Sequence, residues 1–199
     1  MDISAIVLCG GQSSRMGYKN KCFFKLGDLS FIEIITDKLS TIFDKILLVT
    51  KDPKKYIPLG YKVVKDLFKE SSSLTGIHAG LIYSTTRYNF VVGCDTPLIK
   101  LELIKYLVST IDSNYQVVVP KVKGYFEPLC AIYSKDCIPI IEEMLRKKSF
   151  KISKLFSEVN IRIVGDSLLK KYDPSLHSFF NINTEEDYKK ALKIYLNVI

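Results

Sequence analysis

Long apolar runs, histidine and paired cysteines are all scarce in this sequence. No apolar run approaches the roughly 20 residues of a membrane-spanning helix, and the first residues show no basic segment or cleavage site of a secretory signal. With two histidines and no C-x-x-C pair, a zinc site is not expected. The five scattered cysteines favour a reducing cytoplasm over a disulfide framework: they are Cys9, Cys22, Cys94, Cys130 and Cys137.

The formal net charge of +8 favours polyanionic partners, which include nucleic acid, membrane surfaces and small phosphorylated molecules. The lysines are spread along the chain, and the longest runs are pairs such as Lys147-Lys148. Signatures of a recognition helix, an RNA-binding module or a zinc finger are absent from the sequence. We therefore expect mostly solvated lysine faces, with neither nucleic acid nor a membrane as partner.

Strand-like apolar runs alternate with helical periodicity along the whole chain. The pattern predicts strands at 3–8, 45–50, 61–65, 90–93, 115–120, 129–133 and 160–164, and helices at 30–43, 74–84, from 101, at 138–145 and from 184. This alternation and the length of 199 residues predict one domain over 1–199, a three-layer α/β/α Rossmann-like fold with a mostly parallel sheet. Ligands of such sheets lie outside the carboxyl ends of the strands.

A loop with adjacent glycines follows the first predicted strand and is rich in cations. Gly10 and Gly11 let the backbone turn sharply and present amide N–H groups to phosphate oxygens. Arg15 adds a forked cation and Lys21 a compact one, which together suit a triphosphate. The spacing excludes both the G-x-G-x-x-G fingerprint and the P-loop, because the glycines are adjacent and five residues separate Gly11 from Gly17.

The segment L-C-G-G-x-S-x-R-M-G-x-x-x-K resembles the signature loop of the molybdenum cofactor guanylyltransferases, within the Rossmann-like nucleotidyltransferase superfamily. Its double glycine leans toward the guanylyl branch, because the related cytidylyl enzymes tend to show an alanine there. Cys9 stands where members usually carry alanine, and Asn20 where an acidic residue or proline is common. The resemblance implies that Arg15 and Lys21 are catalytic, and that the nucleotide is bound by Leu8, Cys9, Gly10, Gly11, Ser13, Arg15 and Lys21.

Asp95 follows the predicted strand at 90–93. A carboxylate at this end of a strand, facing the phosphate loop, can hold a hard divalent cation that neutralises phosphate charge. From the residues alone, Asp95 is equally well explained as a cap of the turn before Pro97. The sequence C-D-T-P-L resembles the metal-binding motif of the family, which implies that Asp95 binds Mg²⁺, contacts the nucleotide and is catalytic.

The middle of the chain carries a second resemblance to the family. V-V-K-D followed by S-S-L-T-G-I resembles the family's strand-Asp and G-P-L-x-G-I loop, with two serines in place of Gly-Pro. The match implies that Asp66 and Gly76 lie near the base and ribose, and that Thr50 contacts the nucleotide from the end of the second strand. We expect His78, in the following helix, to be a partly exposed surface residue rather than a catalyst.

Two segments of the second half resemble the family's acceptor region. Glu127 begins an E-P-L segment like the one that starts a strand near the acceptor pocket, and residues 181–184 resemble an N-x-N-T motif. Asparagine side chains can hydrogen-bond both a pterin edge and a phosphate. From the residues alone, Asn183 is equally well explained as part of a helix cap. The implied acceptor-binding residues are Glu127, Asn181 and Asn183.

The resemblance implies transfer of GMP from GTP to the phosphate of molybdenum-bound molybdopterin, with release of pyrophosphate and with Mg²⁺ as cofactor. An acceptor phosphate is already ionised at neutral pH, so no dedicated base is needed. A related nucleotidyltransferase that uses CTP or a sugar or polyol phosphate remains an alternative, as do a non-catalytic nucleotide-binding homologue and, from charge alone, a nucleic-acid-binding protein. Transient contact with proteins that deliver or accept the cofactor is a further expectation.

Overall fold

The computed structural model describes residues 2–10, 20–66, 68, 70 and 72–197. Strands within these ranges are β1 (Ile3–Leu8), β2 (Lys25–Leu26), β3 (Leu29–Ser30), β4 (Ile46–Thr50), β5 (Lys62–Lys65), β6 (Tyr88–Gly93), β7 (Val117–Val122), β8 (Tyr125–Phe126), β9 (Cys130–Ser134) and β10 (Ile161–Gly165). The helices are α1 (Phe31–Ser40), α2 (Ser73–Tyr83), α3 (Leu101–Ser109), α4 (Ile138–Arg146), α5 (Ile152–Leu155), α6 (Asp166–Tyr172) and α7 (Glu185–Leu196).

The central sheet has the strand order β10-β7-β9-β6-β1-β4-β5, and β8 pairs with β7. β1 is parallel to β4 and β6, β4 is parallel to β5, and β7 is parallel to β10. β9 runs antiparallel to both β6 and β7. The carboxyl ends of β1, β4, β5 and β6 therefore meet at one edge, and the predicted mostly parallel α/β fold is confirmed.

Helices cover both faces of the sheet, because its central strands are apolar on both sides. All six residues of β1 are buried. Ala5 and Val7 pack into a core with α1, α3 and α6, whereas Ile6 and Leu8 pack into a core with α2, α4 and α5. At Gly80, a Cβ would lie 2.6 Å from Ile6 Cγ2, so only glycine lets α2 pack this closely on β1.

A third, smaller core joins the two ends of the chain. β2 and β3 form a hairpin whose turn contains Gly27 with φ of 70°. Leu26 from this hairpin packs with Ile182 and with Ala191 of α7. The N-terminus of α7 has a capping box, in which the side chains of Thr184 and Asp187 each accept a hydrogen bond from the other residue's backbone N–H. The hairpin was not predicted, because strands of two residues carry no periodicity.

Most predicted elements lie within one to three residues of the observed ones. His78 is buried rather than partly exposed as predicted, since the residue is only 4% exposed. The Phe68 ring meets the His78 ring edge-on at 5.3 Å, and His78 Nε2 lies 3.2 Å from Glu142 Oε1 of α4. The apolar pattern of α2 alone does not predict that α4 and Phe68 bury His78. Within the described ranges, no helix has the length and apolarity needed to cross a membrane.

Candidate active site

A pocket of about 350 Å³ lies at the edge where β1, β4, β5 and β6 end. This is the position at which parallel α/β sheets bind ligands. The predicted site residues that line it are Leu8, Gly10, Lys21, Thr50, Asp66, Gly76, Asp95 and Asn183. The volume lies within the range of roughly 300–1,000 Å³ that is usual for small-molecule sites.

Asp95 lies two residues beyond the end of β6, and its half-buried side chain lines the pocket. A Cβ on Gly93 would lie 2.7 Å from Asp95 Oδ1, so the carboxylate occupies space that only a glycine leaves open. Burial raises the pKa of the Asp95 carboxyl, and the positive charge of nearby Lys21 opposes part of that rise. The site thus holds a partly desolvated carboxylate close to a lysine.

Lys21 reaches the pocket from a short 3₁₀ turn, Lys21–Phe23. Its Nζ donates a hydrogen bond of 2.5 Å to Asn183 Oδ1. The segment that carries Asn183 is in turn held at Asp95, because Ile182 N donates to Asp95 O at 2.9 Å. Three sequence-distant segments therefore place Lys21, Asp95 and Asn183 together.

Another part of the pocket lining comes from Asp66, which follows β5, and from the start of α2. Both carboxylate oxygens of Asp66 have partners: Oδ2 accepts from Thr75 Oγ1 at 2.8 Å and Oδ1 from Phe68 N at 3.1 Å. Ser72 caps α2 together with Thr75. Asp66 therefore fixes the first turn of α2 against the end of β5, in addition to lining the pocket.

Gly76 brings that first turn onto β1, since its Cβ would lie 3.2 Å from Leu8 Cδ2. Thr50 is nearly buried, and its Oγ1 accepts a hydrogen bond from Asp52 N. At Gly10, by contrast, an added Cβ would meet no atom of the described residues within 4 Å. Within the part of the chain that the structure describes, a side chain at position 10 would thus have open space beside the pocket.

Three of the predicted site residues lie off the pocket lining. The Cys9 side chain is buried in the core, and Cys9 N and O are bonded to Val49 O and the Tyr56 hydroxyl. Glu127 and Asn181 are not among the lining residues, and burial raises the pKa of the Glu127 carboxyl to about 7. Gly11, Ser13 and Arg15 lie outside the described residues.

Several residues that line the pocket were not among the predicted site residues. They include Val49, Lys51, Gly93, Cys94 and Leu129, together with the two serines at the start of α2. Val49 and Lys51 flank Thr50, and Gly93 and Cys94 precede Asp95, so their positions at strand ends were the available signal. Leu129 precedes β9, the antiparallel strand, and no local pattern marks it as a pocket residue.

The chemistry of the donors defines what this pocket can hold. Among the residues that the structure describes, no group of three or more histidine, cysteine, aspartate or glutamate side chains could hold a metal ion. Mg²⁺ is typically bound through one or two carboxylates plus substrate phosphates. A single carboxylate beside a lysine therefore fits a cation that arrives with phosphate groups, and does not fit a cation held by protein ligands alone.

The fold, the strand-edge pocket and this pair of charged groups define a nucleotidyltransferase. Residues 5–160 match the model of the MobA-like NTP transferase domain, and the chain belongs to that family. It is 36% identical to a molybdenum cofactor guanylyltransferase of Desulfosudis oleivorans, over 95% of this chain and 94% of the relative. It is 37% identical to a probable molybdenum cofactor guanylyltransferase of Natranaerobius thermophilus, over 96% of each chain.

A solved structure has the same fold along nearly the whole chain. The molybdopterin-guanine dinucleotide biosynthesis protein A of Archaeoglobus fulgidus superposes with a TM-score of 0.86 and 29% identity. The match covers 98% of this chain and 99% of that protein. Because it extends past residue 160, the similarity includes the segment that carries Asn183 and α7.

Proposed function

We propose that this protein transfers GMP from GTP to the phosphate of molybdenum-bound molybdopterin, giving the guanine dinucleotide cofactor and pyrophosphate. The observation that carries the proposal is the convergence of Lys21, Asp95 and Asn183 on one pocket, in a chain whose relatives bear the name of this activity. We place the protein in the cytoplasm and expect transient contacts with proteins that supply or receive the cofactor.

In the proposed reaction, an oxygen of the acceptor phosphate forms a bond to the α-phosphorus of GTP. The bond from the α-phosphorus to the bridging oxygen of the β-phosphate breaks, and pyrophosphate leaves with the electron pair. No side chain has to remove a proton, because the acceptor oxygen is already ionised. Catalysis then depends on orientation and on charge neutralisation, which Lys21 supplies at the phosphates.

Asp95 is the residue we assign to Mg²⁺. The ion would supply neutralisation of the negative charge on the triphosphate as pyrophosphate departs. Burial raises the pKa of the Asp95 carboxyl, and a bound cation would oppose that rise and hold the carboxylate ionised. Arg15 and Ser13, in the N-terminal loop, are assigned to the phosphates by the family motif.

The base preference tests the guanylyl assignment. Guanine offers O6 as an acceptor and N1 and N2 as donors, whereas cytosine presents a different and smaller edge. Each buried polar group left unpaired costs about 1–3 kcal/mol, so two would give GTP an advantage of about a hundredfold. We expect GTP to exceed CTP and ATP in kcat/KM for pyrophosphate release in the presence of acceptor.

Two variants serve that measurement. Gly10→Ala adds a Cβ with no contact within 4 Å among the described residues, so it should leave the fold intact and erode the preference for GTP. Gly165→Ala also adds a Cβ with no contact within 4 Å among the described residues, but at the end of β10. It should change neither the fold nor the preference for GTP. Equal or better use of CTP by the unmodified protein would refute the guanylyl assignment and leave the nucleotidyltransferase class standing.

A further inference from the structure

The short turn that carries Lys21 is held by a partly buried path of hydrogen bonds. Asn20 caps the turn, since its Oδ1 accepts from Cys22 N at 3.1 Å. The same amide donates from Nδ2 to the Tyr56 hydroxyl at 2.6 Å. Tyr56 in turn donates its proton to Cys9 O at 3.1 Å. The path thus runs from the carboxyl end of β1 to the residue just before Lys21.

Tyr56 also supports the far end of this turn. The Phe23 and Tyr56 rings lie 5.0 Å apart at an angle of 37°. Tyr56 itself is completely buried, between two short 3₁₀ turns that follow β4. The Tyr56 side chain therefore contacts both Asn20, just before Lys21, and Phe23, the last residue of the turn. Its hydroxyl is also bonded to Cys9 O, directly after β1.

The hydrogen-bond directions in this path are determined by the chemistry of the groups. Cys9 O is an acceptor only, so the single hydroxyl proton of Tyr56 goes to it, and the hydroxyl oxygen accepts from Asn20. Asn20 must then act as donor to Tyr56 and as acceptor for Cys22 N. An asparagine side chain meets both demands, whereas proline meets neither and a carboxylate lacks the donor. Burial raises the pKa of Tyr56, which keeps the hydroxyl protonated.

We propose that the Asn20–Tyr56 pair positions Lys21 for catalysis, by fixing the Lys21–Phe23 turn to the carboxyl end of β1. The role deepens the proposed function and rests on it, because Lys21 is there assigned to the triphosphate. Neither residue lines the pocket, so both are positioning residues. Without the pair, Lys21 keeps its hydrogen bond to Asn183, but the backbone position of Lys21 is no longer fixed relative to β1.

Tyr56→Phe removes only the hydroxyl and is the first variant. We expect kcat/KM for GMP transfer to fall by about tenfold or more, because misplacement by about 1 Å can cost as much as a hundredfold in rate. Tyr88→Phe is the matched control, because Tyr88 is buried and lies at the opposite end of β6 from the pocket. Its single hydroxyl proton is shared between Asp112 O and Tyr115 O, at 3.2 and 3.3 Å. This variant should leave kcat/KM within about twofold of the unmodified protein.

Asn20→Ser is the second variant and covers the case in which Tyr56→Phe fails to fold. Serine can still cap the turn, but its side chain is too short to reach Tyr56. We expect a loss similar to that of Tyr56→Phe, and the double variant should be little worse than either single one. Unchanged kcat/KM in Asn20→Ser and in Tyr56→Phe would overturn the proposal.

A binding cycle with inorganic tripolyphosphate separates positioning from a merely structural role. Kd is measured by calorimetry for the unmodified protein, Tyr56→Phe, Lys21→Ala and the double variant. If the pair acts through Lys21, Tyr56→Phe weakens binding by about tenfold when Lys21 is present and by less than twofold when it is absent. Equal losses in both backgrounds, or no loss in Lys21→Ala itself, would overturn the proposal.

This cycle also distinguishes failure of the inference from failure of the proposed function. Tripolyphosphate binding requires no GMP transfer, so it reports on the pair whatever the reaction is. Coupled losses in a protein that transfers no GMP would support positioning of Lys21 by the pair and would refute the guanylyltransferase assignment alone.

Discussion

Gly93→Ala offers a direct test of the carboxylate at the pocket. The new Cβ would lie 2.7 Å from Asp95 Oδ1, and contacts shorter than 3.0 Å are essentially never found for a real Cβ. Reaching the 3.4 Å of ordinary contact requires a shift of 0.7 Å, the difference between the two distances. The other close neighbour, Leu129 Cδ1 at 3.6 Å, is already at an ordinary distance, so the carboxylate is the group that must move.

Such a displacement should lower turnover without unfolding the protein. Misplacement by about 1 Å can cost about a hundredfold in rate, so a shift of this size predicts a loss of about tenfold or more in kcat. The assay is pyrophosphate release from GTP as a function of Mg²⁺ concentration, with the melting temperature measured in parallel. Gly165→Ala, where an added Cβ meets nothing within 4 Å, is the control. Turnover of Gly93→Ala within about threefold of the unmodified protein would refute the reasoning.

Three further predictions concern charged residues. Lys21→Ala should retain the fold and lose at least about 2 kcal/mol of transition-state stabilisation, about thirtyfold in rate, and a loss below threefold would remove Lys21 from the site. Asp95→Asn should abolish Mg²⁺-dependent turnover while weaker metal-free GTP binding persists, and a retained Mg²⁺ response would place the ion elsewhere. Burial raises the pKa of Glu127 to about 7 from its ordinary 4.5, so the folded state holds a proton that the unfolded state has lost between these values. Stability should therefore fall as pH rises through that window, and Glu127→Gln should flatten the fall, which urea titrations at pH 4.5 and 7.5 would check.

The sequence was sufficient for the elements that have a clear period. β1 is observed at its predicted bounds, Ile3–Leu8, because a continuous apolar run of this length is typical of a strand buried on both faces. α6 and the β2–β3 hairpin were not predicted, since each is too short for its periodicity to stand out. The antiparallel direction of β9 was also beyond the local pattern, because pairing direction depends on the path of the whole chain.

The candidate site was predictable where residues follow strand ends. Thr50, Asp66 and Asp95 all line the pocket, and each ends or follows a predicted strand. The contact of Lys21 with Asn183 joins residues 162 positions apart, and no local signal specifies it. Asn20 drew notice only as a departure from the family motif. Its partner Tyr56 lies in a loop whose sequence has no recognisable motif.

Asn183 is synthesised late, after every strand of the central sheet. The central sheet needs residues only as far as β10, which ends at Gly165, whereas the partner of Lys21 emerges 18 residues later, at Asn183. A nascent chain can therefore contain every strand of its central sheet before it contains all the residues that line the pocket. Ile182 N donates to Asp95 O, and α7 packs on the β2–β3 hairpin. The last segment to be synthesised therefore contacts segments from the first half of the chain at the pocket. A chain that stops short of residue 183 would keep every strand of the central sheet but lack Asn183, the hydrogen-bond partner of Lys21 at the pocket.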